Sequence, residues 1–360
     1  IPLQEDLIPI LAASCGQYSI MEIIGSGTYG VVYKTWDNLH NRPVALKKFK
    51  SERFDNDFNG APLPALKEIS ILIELKRTNH SNIVNLRDVL EIGPDCYMVL
   101  DYMDWDLFRL IYHFSERRKH FEKKQEHQRQ FQHAARMPTG ELPPEFEAIP
   151  DGYGLPPELY QSIAMQLLEA VRHCHSMSIV HRDIKPANIL LSNRGVVKLA
   201  DFGMARSLSH RRRTLNLSVV TLPYRAPELL LGTPDYTEAV DVWSVGCVIA
   251  EMITGYHLFY GDSEIHQLFL IFERMGTPDN SNWLGVEQLP DYNRQFPRFY
   301  PHGFRDFNLP ICAEKLIRAM LRLDPTKRST ASAALKHKFF FDTTVQSLAL
   351  FLQDIAERED

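Results

Sequence analysis

The chain has 360 residues, 44% of them hydrophobic and 24% charged, with a formal net charge of −5. These fractions are those of a globular protein, and the mild negative balance argues against direct nucleic-acid binding. No apolar run approaches the ~20 residues that cross a bilayer, so no membrane partner is expected.

The stretch Ile1 to Cys15 lacks a basic leader, so no secretory signal is expected there. Residues Ile23-Ile24 and Val31-Val32-Tyr33 read as two strands joined by a glycine turn, and Pro43 to Phe49 as a third. Ala65 to Leu75 has helical spacing, with Leu66, Ile69, Leu72 and Ile73 expected to share one face and Pro64 in the first turn. Tyr97 to Tyr102 is a buried-strand candidate leading into a connector. Beyond Asp106 the pattern turns helical: Leu159 to Ser176, a largely apolar and central Thr237 to Thr254, Ile265 to Met275, and Ala313 to Leu323. Residues from about His113 to Gly154 interrupt it with a charged run and a Pro- and Gly-rich run, which read as a surface insertion. The five cysteines, Cys15, Cys96, Cys174, Cys247 and Cys312, are scattered and read as reduced core thiols. The expected fold is α+β and bilobal. A small β-rich lobe (18–103) precedes a larger helical lobe (104–340), with an extension at 1–17 and a tail at 341–360.

The chemistry is concentrated in His181-Arg182-Asp183-Ile184-Lys185-Pro186-Ala187-Asn188 followed by Asp201-Phe202-Gly203. This spacing suits phosphoryl transfer from ATP: a base for the attacking hydroxyl, a cation beside the transferred group, and two Mg²⁺ ligands. Asp183 is the candidate base, Lys185 the neutralising cation, and Asn188 and Asp201 the metal ligands, since Mg²⁺ takes oxygen donors. Upstream, Gly25-Ser26-Gly27-Thr28-Tyr29-Gly30-Val31-Val32 fits G-x-G-x-x-G-x-V, where missing Cβ atoms let the backbone close over phosphates. A dinucleotide-binding turn also carries three such glycines, but there a helix follows. Here a strand follows, and Val44-Ala45-Leu46-Lys47 then supplies a phosphate-binding lysine with Glu68, favoured by its spacing over nearby Glu74, as its carboxylate partner. Glu228 of Ala226-Pro227-Glu228 is expected to pair with Arg328, and Asp241 to hold the catalytic loop through its backbone N–H groups.

On these motifs the chain resembles the cyclin-dependent kinases over roughly Tyr18 to Phe340. Gly60-Ala61-Pro62-Leu63-Pro64-Ala65-Leu66-Lys67-Glu68-Ile69 looks like that family's cyclin-binding helix. Val219-Val220-Thr221-Leu222-Pro223-Tyr224-Arg225 looks like its substrate loop, and Leu323-Asp324-Pro325-Thr326-Lys327-Arg328 like a C-lobe signature. The resemblance implies an ATP- and Mg²⁺-dependent serine/threonine kinase. Its substrates would be proteins with Ser-Pro or Thr-Pro sites. Its partner would be a cyclin-like regulatory subunit on the helix around Pro62–Leu75, and its location nuclear or nucleocytoplasmic. Ile24, Val32, Ala45 and Leu190 would sandwich adenine, Asp101 and Met103 would bond it through their backbones, and Asp106 would face the ribose. Gly25, Gly27 and Gly30 would form the lid, with Thr28 and Tyr29 as an inhibitory phosphorylation pair. Leu100 would stand at the back of the pocket, Thr221 joins the catalytic set, and Val219, Val220 and Arg225 would select proline. Asn216 stands where the family usually carries its activating threonine, so the basic pocket of Lys67, Arg182 and Arg206 lacks its usual phosphate. A rival reading is a nucleotide-binding, catalytically weak scaffold that docks a cyclin-like partner.

Overall fold

The computed structural model describes residues 16–26, 30–49, 63–92, 95–116, 154–208, 221–233, 235–341 and 346–359. Gly27, Thr28, Tyr29, Pro62, Asn216, Val219, Val220 and the bulk of the insertion, which the sequence singled out, lie outside the described residues.

Five antiparallel strands form the first sheet: β1 (Tyr18–Ser26), β2 (Gly30–Asp37), β3 (Arg42–Phe49), β4 (Leu86–Ile92) and β5 (Asp95–Asp101), in the order β1-β2-β3-β5-β4. Alternation along β3 divides the sheet's two faces. Val44 and Leu46 join Tyr18, Tyr33, Ile92, Tyr97 and Val99 in a small apolar cluster. Ala45 and Lys47 therefore point the other way. Val32 pairs with Lys47 and Leu100 with Ala45, so all four occupy one face.

Helix α1 (Leu63–Lys76) packs beside this sheet. The expected apolar face is corrected here. The buried residues are Ala65, Glu68, Ile71, Leu72 and Leu75, whereas Leu63 (71%), Leu66 (49%) and Ile73 (48%) are exposed. At 100° per residue, Leu66 and Ile73 lie opposite Glu68 and Leu75, so the helix carries two apolar stripes and only one is covered.

The second part is helical. α2 (Pro157–Ser176) and α3 (Ala239–Thr254) form its centre, with α4 (Glu264–Met275) and α5 (Ile311–Met320) outside them. Every residue of α3 from Val240 to Thr254 is buried, as an all-round apolar helix requires. A Cβ on its Gly246 would come within 2.9 Å of Leu321, so this glycine permits the close approach of the segment after α5. Residues set apart as a tail include α6 (Gln346–Glu359), whose Leu348, Leu352 and Ile355 are buried. Its Phe351 stacks on Phe114 at 5.2 Å between ring centroids.

Short strands frame the cleft between the lobes: β6 (Trp105–Asp106), β7 (Ile179–Val180), β8 (Ile189–Leu191), β9 (Val197–Leu199) and β10 (Arg206–Ser207). The segment after α1 is stitched into the lower lobe. Asn82 donates to Gln166 Oε1 and to the Val197 carbonyl, both at 2.9 Å, and Val84 N–H donates to the Leu199 carbonyl at 3.0 Å. The cysteines Cys96, Cys174 and Cys247 are free and buried, as expected, and Cys312 is half-buried.

Candidate active site

Lys47 reaches across from β3 to α1. Its Nζ lies 2.9 Å from both oxygens of Glu68 and 2.9 Å from Asp201 Oδ1. Burial pushes the Lys47 ammonium down, but Glu68 and Asp201 outweigh it and hold the amine above its ordinary value. Burial raises Glu68, and Lys47 offsets this only in part. Burial would raise Asp201 too, but Lys47 holds it below its ordinary value. Lys47 thus sets the balance of the cluster: it holds Asp201 down against burial and only partly offsets the burial of Glu68.

Asp201 adopts φ 61°, in the left-handed region that non-glycine residues rarely enter. This turn aims its carboxylate at Lys47 and sends Phe202 into the core, edge-on to His181 at 4.8 Å. Arg182 also has a positive φ, 68°. The Arg182 backbone is held from outside. Buried Asp241 accepts the His181 and Arg182 N–H groups at 2.8 Å each, and bonds His175 Nε2 at 2.9 Å. Burial would raise its carboxyl, but His175 and the backbone donors hold it below the usual range. Asp241 thus plays the bracing role expected of it. Glu228 and Arg328 likewise form the expected pair, two parallel bonds of 2.7 and 2.9 Å with both side chains buried.

Around Asp183 a closed polar triangle forms. Thr221 Oγ1 donates to Asp183 Oδ1 at 2.9 Å, Lys185 Nζ donates to Thr221 Oγ1 at 3.0 Å, and Lys185 Nζ sits 2.7 Å from Asp183 Oδ2. Asn188 Nδ2 donates to the Asp183 carbonyl at 2.8 Å and to Oδ2 at 3.1 Å. The Asn188 amide is thereby oriented, with its carbonyl oxygen left over. Asp201 has one oxygen on Lys47 and one left over. Two hard oxygen donors, one on Asn188 and one on Asp201, are therefore left for a metal, and such donors fit Mg²⁺. Bound there, the metal would neutralise charge on the phosphates of ATP.

The sheet face over this site carries the residues expected around adenine. Val32 and Leu100 are half-buried and Ala45 is buried, all on the Lys47 face. Half-buried Ile24 lies beside Gly25, which pairs with Val32 across β1 and β2. Below, Leu190 pairs with Asp106 across β8 and β6, and Met103 lies in the connector. A Cβ on Gly30 would meet the Lys48 carbonyl at 1.9 Å, so only glycine lets β2 start there.

Two residues do more than the sequence suggested. Asp106 Oδ1 accepts the Arg109 N–H at 2.9 Å and caps the helical segment 107–116. Asp101, marked only for its backbone, is buried, and its carboxylate bonds Arg87 Nη2 at 2.6 Å, Lys198 Nζ at 3.0 Å and Asn85 Nδ2 at 3.1 Å. Burial would raise this carboxyl, but Lys198 and then Arg87 hold it below its ordinary range. The signal available was an acid ending the apolar run Tyr97 to Leu100, since a buried carboxylate demands partners. In the expected basic pocket, Arg182 donates to the Met204 carbonyl and the Tyr236 hydroxyl at 2.6 Å each. Lys67 and Arg206 form no ion pair among the described residues.

A lysine paired across a sheet and a helix, a carboxylate held in a polar triangle and two left-over oxygen donors define a nucleotide-dependent phosphotransferase. The sequence matches the protein kinase domain over residues 18–340, and the chain belongs to the protein kinase family. The antiparallel five-stranded sheet and helical lower part form that family's bilobal α+β fold. Protein kinases use ATP and a divalent metal, typically Mg²⁺, and the donors at Asn188 and Asp201 fit that use. A carboxylate held as Asp183 is can take the proton of an attacking hydroxyl, and a cation placed as Lys185 is can balance charge on a transferred phosphoryl group.

Proposed function

We propose that this protein kinase phosphorylates serine or threonine followed by proline, and that a cyclin-like regulatory subunit controls it through α1. The observation that carries the partner is the two-sidedness of α1. Its inner face presents Glu68 to Lys47, and its outer face leaves Leu63, Leu66 and Ile73 exposed. Leu66, Ile69 and Ile73 line a surface cavity of about 370 Å³. A protein covering that stripe would fix the helix and, with it, the Lys47–Glu68 pair.

The residue preference rests on Lys185. Its contact with Thr221 and Asp183 places a cation where an aliphatic Ser/Thr hydroxyl would be deprotonated. The proline preference rests on the likeness of the substrate loop, whose Arg225 is buried and paired with Glu264 of α4. The basic pocket of Lys67, Arg182 and Arg206 would take an acidic side chain of the partner, because Asn216 cannot carry phosphate. The intact triangle at Asp183 weighs against a catalytically weak scaffold.

The test is phosphate transfer by the purified chain onto Ser-Pro, Thr-Pro and Ser-Ala peptides, with and without a captured cyclin-like partner. Equal rates on Ser-Pro and Ser-Ala would remove the proline preference. Partner binding that survives Leu66→Glu would remove α1 as the docking face. On this reading the enzyme works in the nucleus or moves between nucleus and cytoplasm. Exclusion of a tagged chain from nuclei would overturn that.

A further inference from the structure

On the far side of the connector from the nucleotide face lies a cavity of about 250 Å³, smaller than the roughly 300–1,000 Å³ of drug-sized pockets. Its wall includes three cations among apolar residues: Arg42 opens β3, Arg87 lies on β4, and Lys198 lies on β9. Against these three stands Asp101, which already holds Arg87 and Lys198. Arg42 is different. Its Nε is buried and has no hydrogen-bond partner among the described residues. The nearest carboxylate, Asp37, lies 3.8 Å away, too far to accept that proton, and already takes a 2.7 Å bond from His40. The lower wall adds Ser192, whose oxygen accepts the Val196 N–H at 3.2 Å and whose own proton is free to turn outward.

We infer that this cavity is a binding site for a phosphate group, held between the Arg42 and Arg87 guanidiniums above and Lys198 and Ser192 below. The charge argument decides for an anion. Asp101 is the one carboxylate in the lining and Asp37 stands behind Arg42, so three cations outnumber two carboxylates and the wall keeps excess positive charge. The size argument decides for a small one. Guanidinium groups prefer oxyanions because their paired N–H donors match two oxygens at once. A bound phosphate would touch both lobes behind the hinge. The site shares no residue with the Asp183 triangle or with α1, so it stands or falls apart from the proposed substrate and partner. The phosphate could be free or carried on a phosphorylated side chain, and the experiment separates the two.

The experiment is calorimetric titration of the whole chain, its cleft filled by Mg²⁺ and a non-hydrolysable ATP analogue, at constant ionic strength. Inorganic phosphate is one titrant and a short phosphoserine peptide the other. Saturable binding of either is expected, weakened about tenfold or more in Arg42→Glu and retained in Arg206→Ala, whose change lies in the other basic cluster. Tighter binding of the peptide would assign the site to a phosphorylated side chain. Binding of inorganic phosphate alone would assign it to the free ion. Equal affinity in wild type and Arg42→Glu, loss in Arg206→Ala instead, or no saturable heat from either titrant would overturn the proposal. If Arg42→Glu fails to fold, Arg42→Gln replaces it, and an unchanged melting temperature with intact binding of the ATP analogue certifies the fold.

Discussion

Asp183 is surrounded by donors from three residues: Thr221, Lys185 and Asn188. Replacing it by Asn keeps the shape and removes the base, so Asp183→Asn should lower peptide phosphorylation by about 10²- to 10⁴-fold. Calorimetric ATP binding should persist in that variant. Near-wild-type turnover would take the base assignment away from Asp183. Thr221→Ala should also slow the reaction, by about tenfold or more, because it removes hydrogen bonds to the charged Asp183 and Lys185, worth roughly 1.5–3 kcal/mol each. Thr221→Ser should restore the rate, and a Ser variant as slow as the Ala one would show that the hydroxyl is not what matters. The grouping of these residues was legible because His181 to Asn188 and Asp201 to Gly203 keep their chemistry within short, fixed spacings. The Asp101 network was not legible. Its partners Arg87 and Lys198 come from different strands, and only the folded chain brings them to one carboxylate.

At the level of elements, α1 shows what a periodic pattern can and cannot tell. Apolar residues at helical spacing announced the helix, yet grouped Leu66 and Ile73 with Leu72. The structure buries Glu68 beside Leu72 because Lys47 needs a carboxylate, and this turns Leu66 and Ile73 outward. Strand β4 escaped notice for a related reason: Arg87, Asp88 and Glu91 break up its apolar residues. The pair of Glu228 and Arg328 locks the single helical turn at Pro227–Leu230 to the end of the helical lobe. Arg328→Ala would leave Glu228 buried without a counter-charge, at a cost of about 3–5 kcal/mol. Urea denaturation reads this directly, and a loss below about 1 kcal/mol would mean that water reaches Glu228.

For the molecule as a whole, one of the contacts that join the two lobes titrates. His80, after α1, stacks on His173 of α2 with ring centroids 4.5 Å apart, and Thr78 Oγ1 bonds His173 Nε2 at 2.8 Å. Burial first, then His173, Arg172 and Lys198, push His80 below its ordinary 6.5, while Glu169 pulls the other way. Burial and Arg172 lower His173 likewise. The unfolded chain therefore takes up protons near pH 6.5 that the folded pair refuses. Stability contributed by the neutral pair is complete above that pH and is lost as the pH falls through it. The melting temperature should drop between pH 7.5 and 5.5, and His173→Gln should flatten that slope. An unchanged slope in this variant would assign the acid sensitivity elsewhere. The bilobal plan was readable from the change from strand to helix patterns near Asp106. The stitching of the lobes was not, because it runs through side chains such as Asn82 and His80 that look like ordinary loop residues.

The placement of α6 also bears on when the protein can fold during its synthesis. Gln161, on α2, donates at 3.0 Å to the Phe339 carbonyl 178 residues later, and Leu348, Leu352 and Ile355 fill the core later still. The upper sheet needs only the chain up to Asp101, so it can assemble while the ribosome is still making the rest. At about 5–20 residues per second, α2 then waits on the order of 10–40 s with an apolar flank uncovered. That interval is when a chaperone would find this kinase, and the surface it would hold is the flank of α2 that α6 later covers.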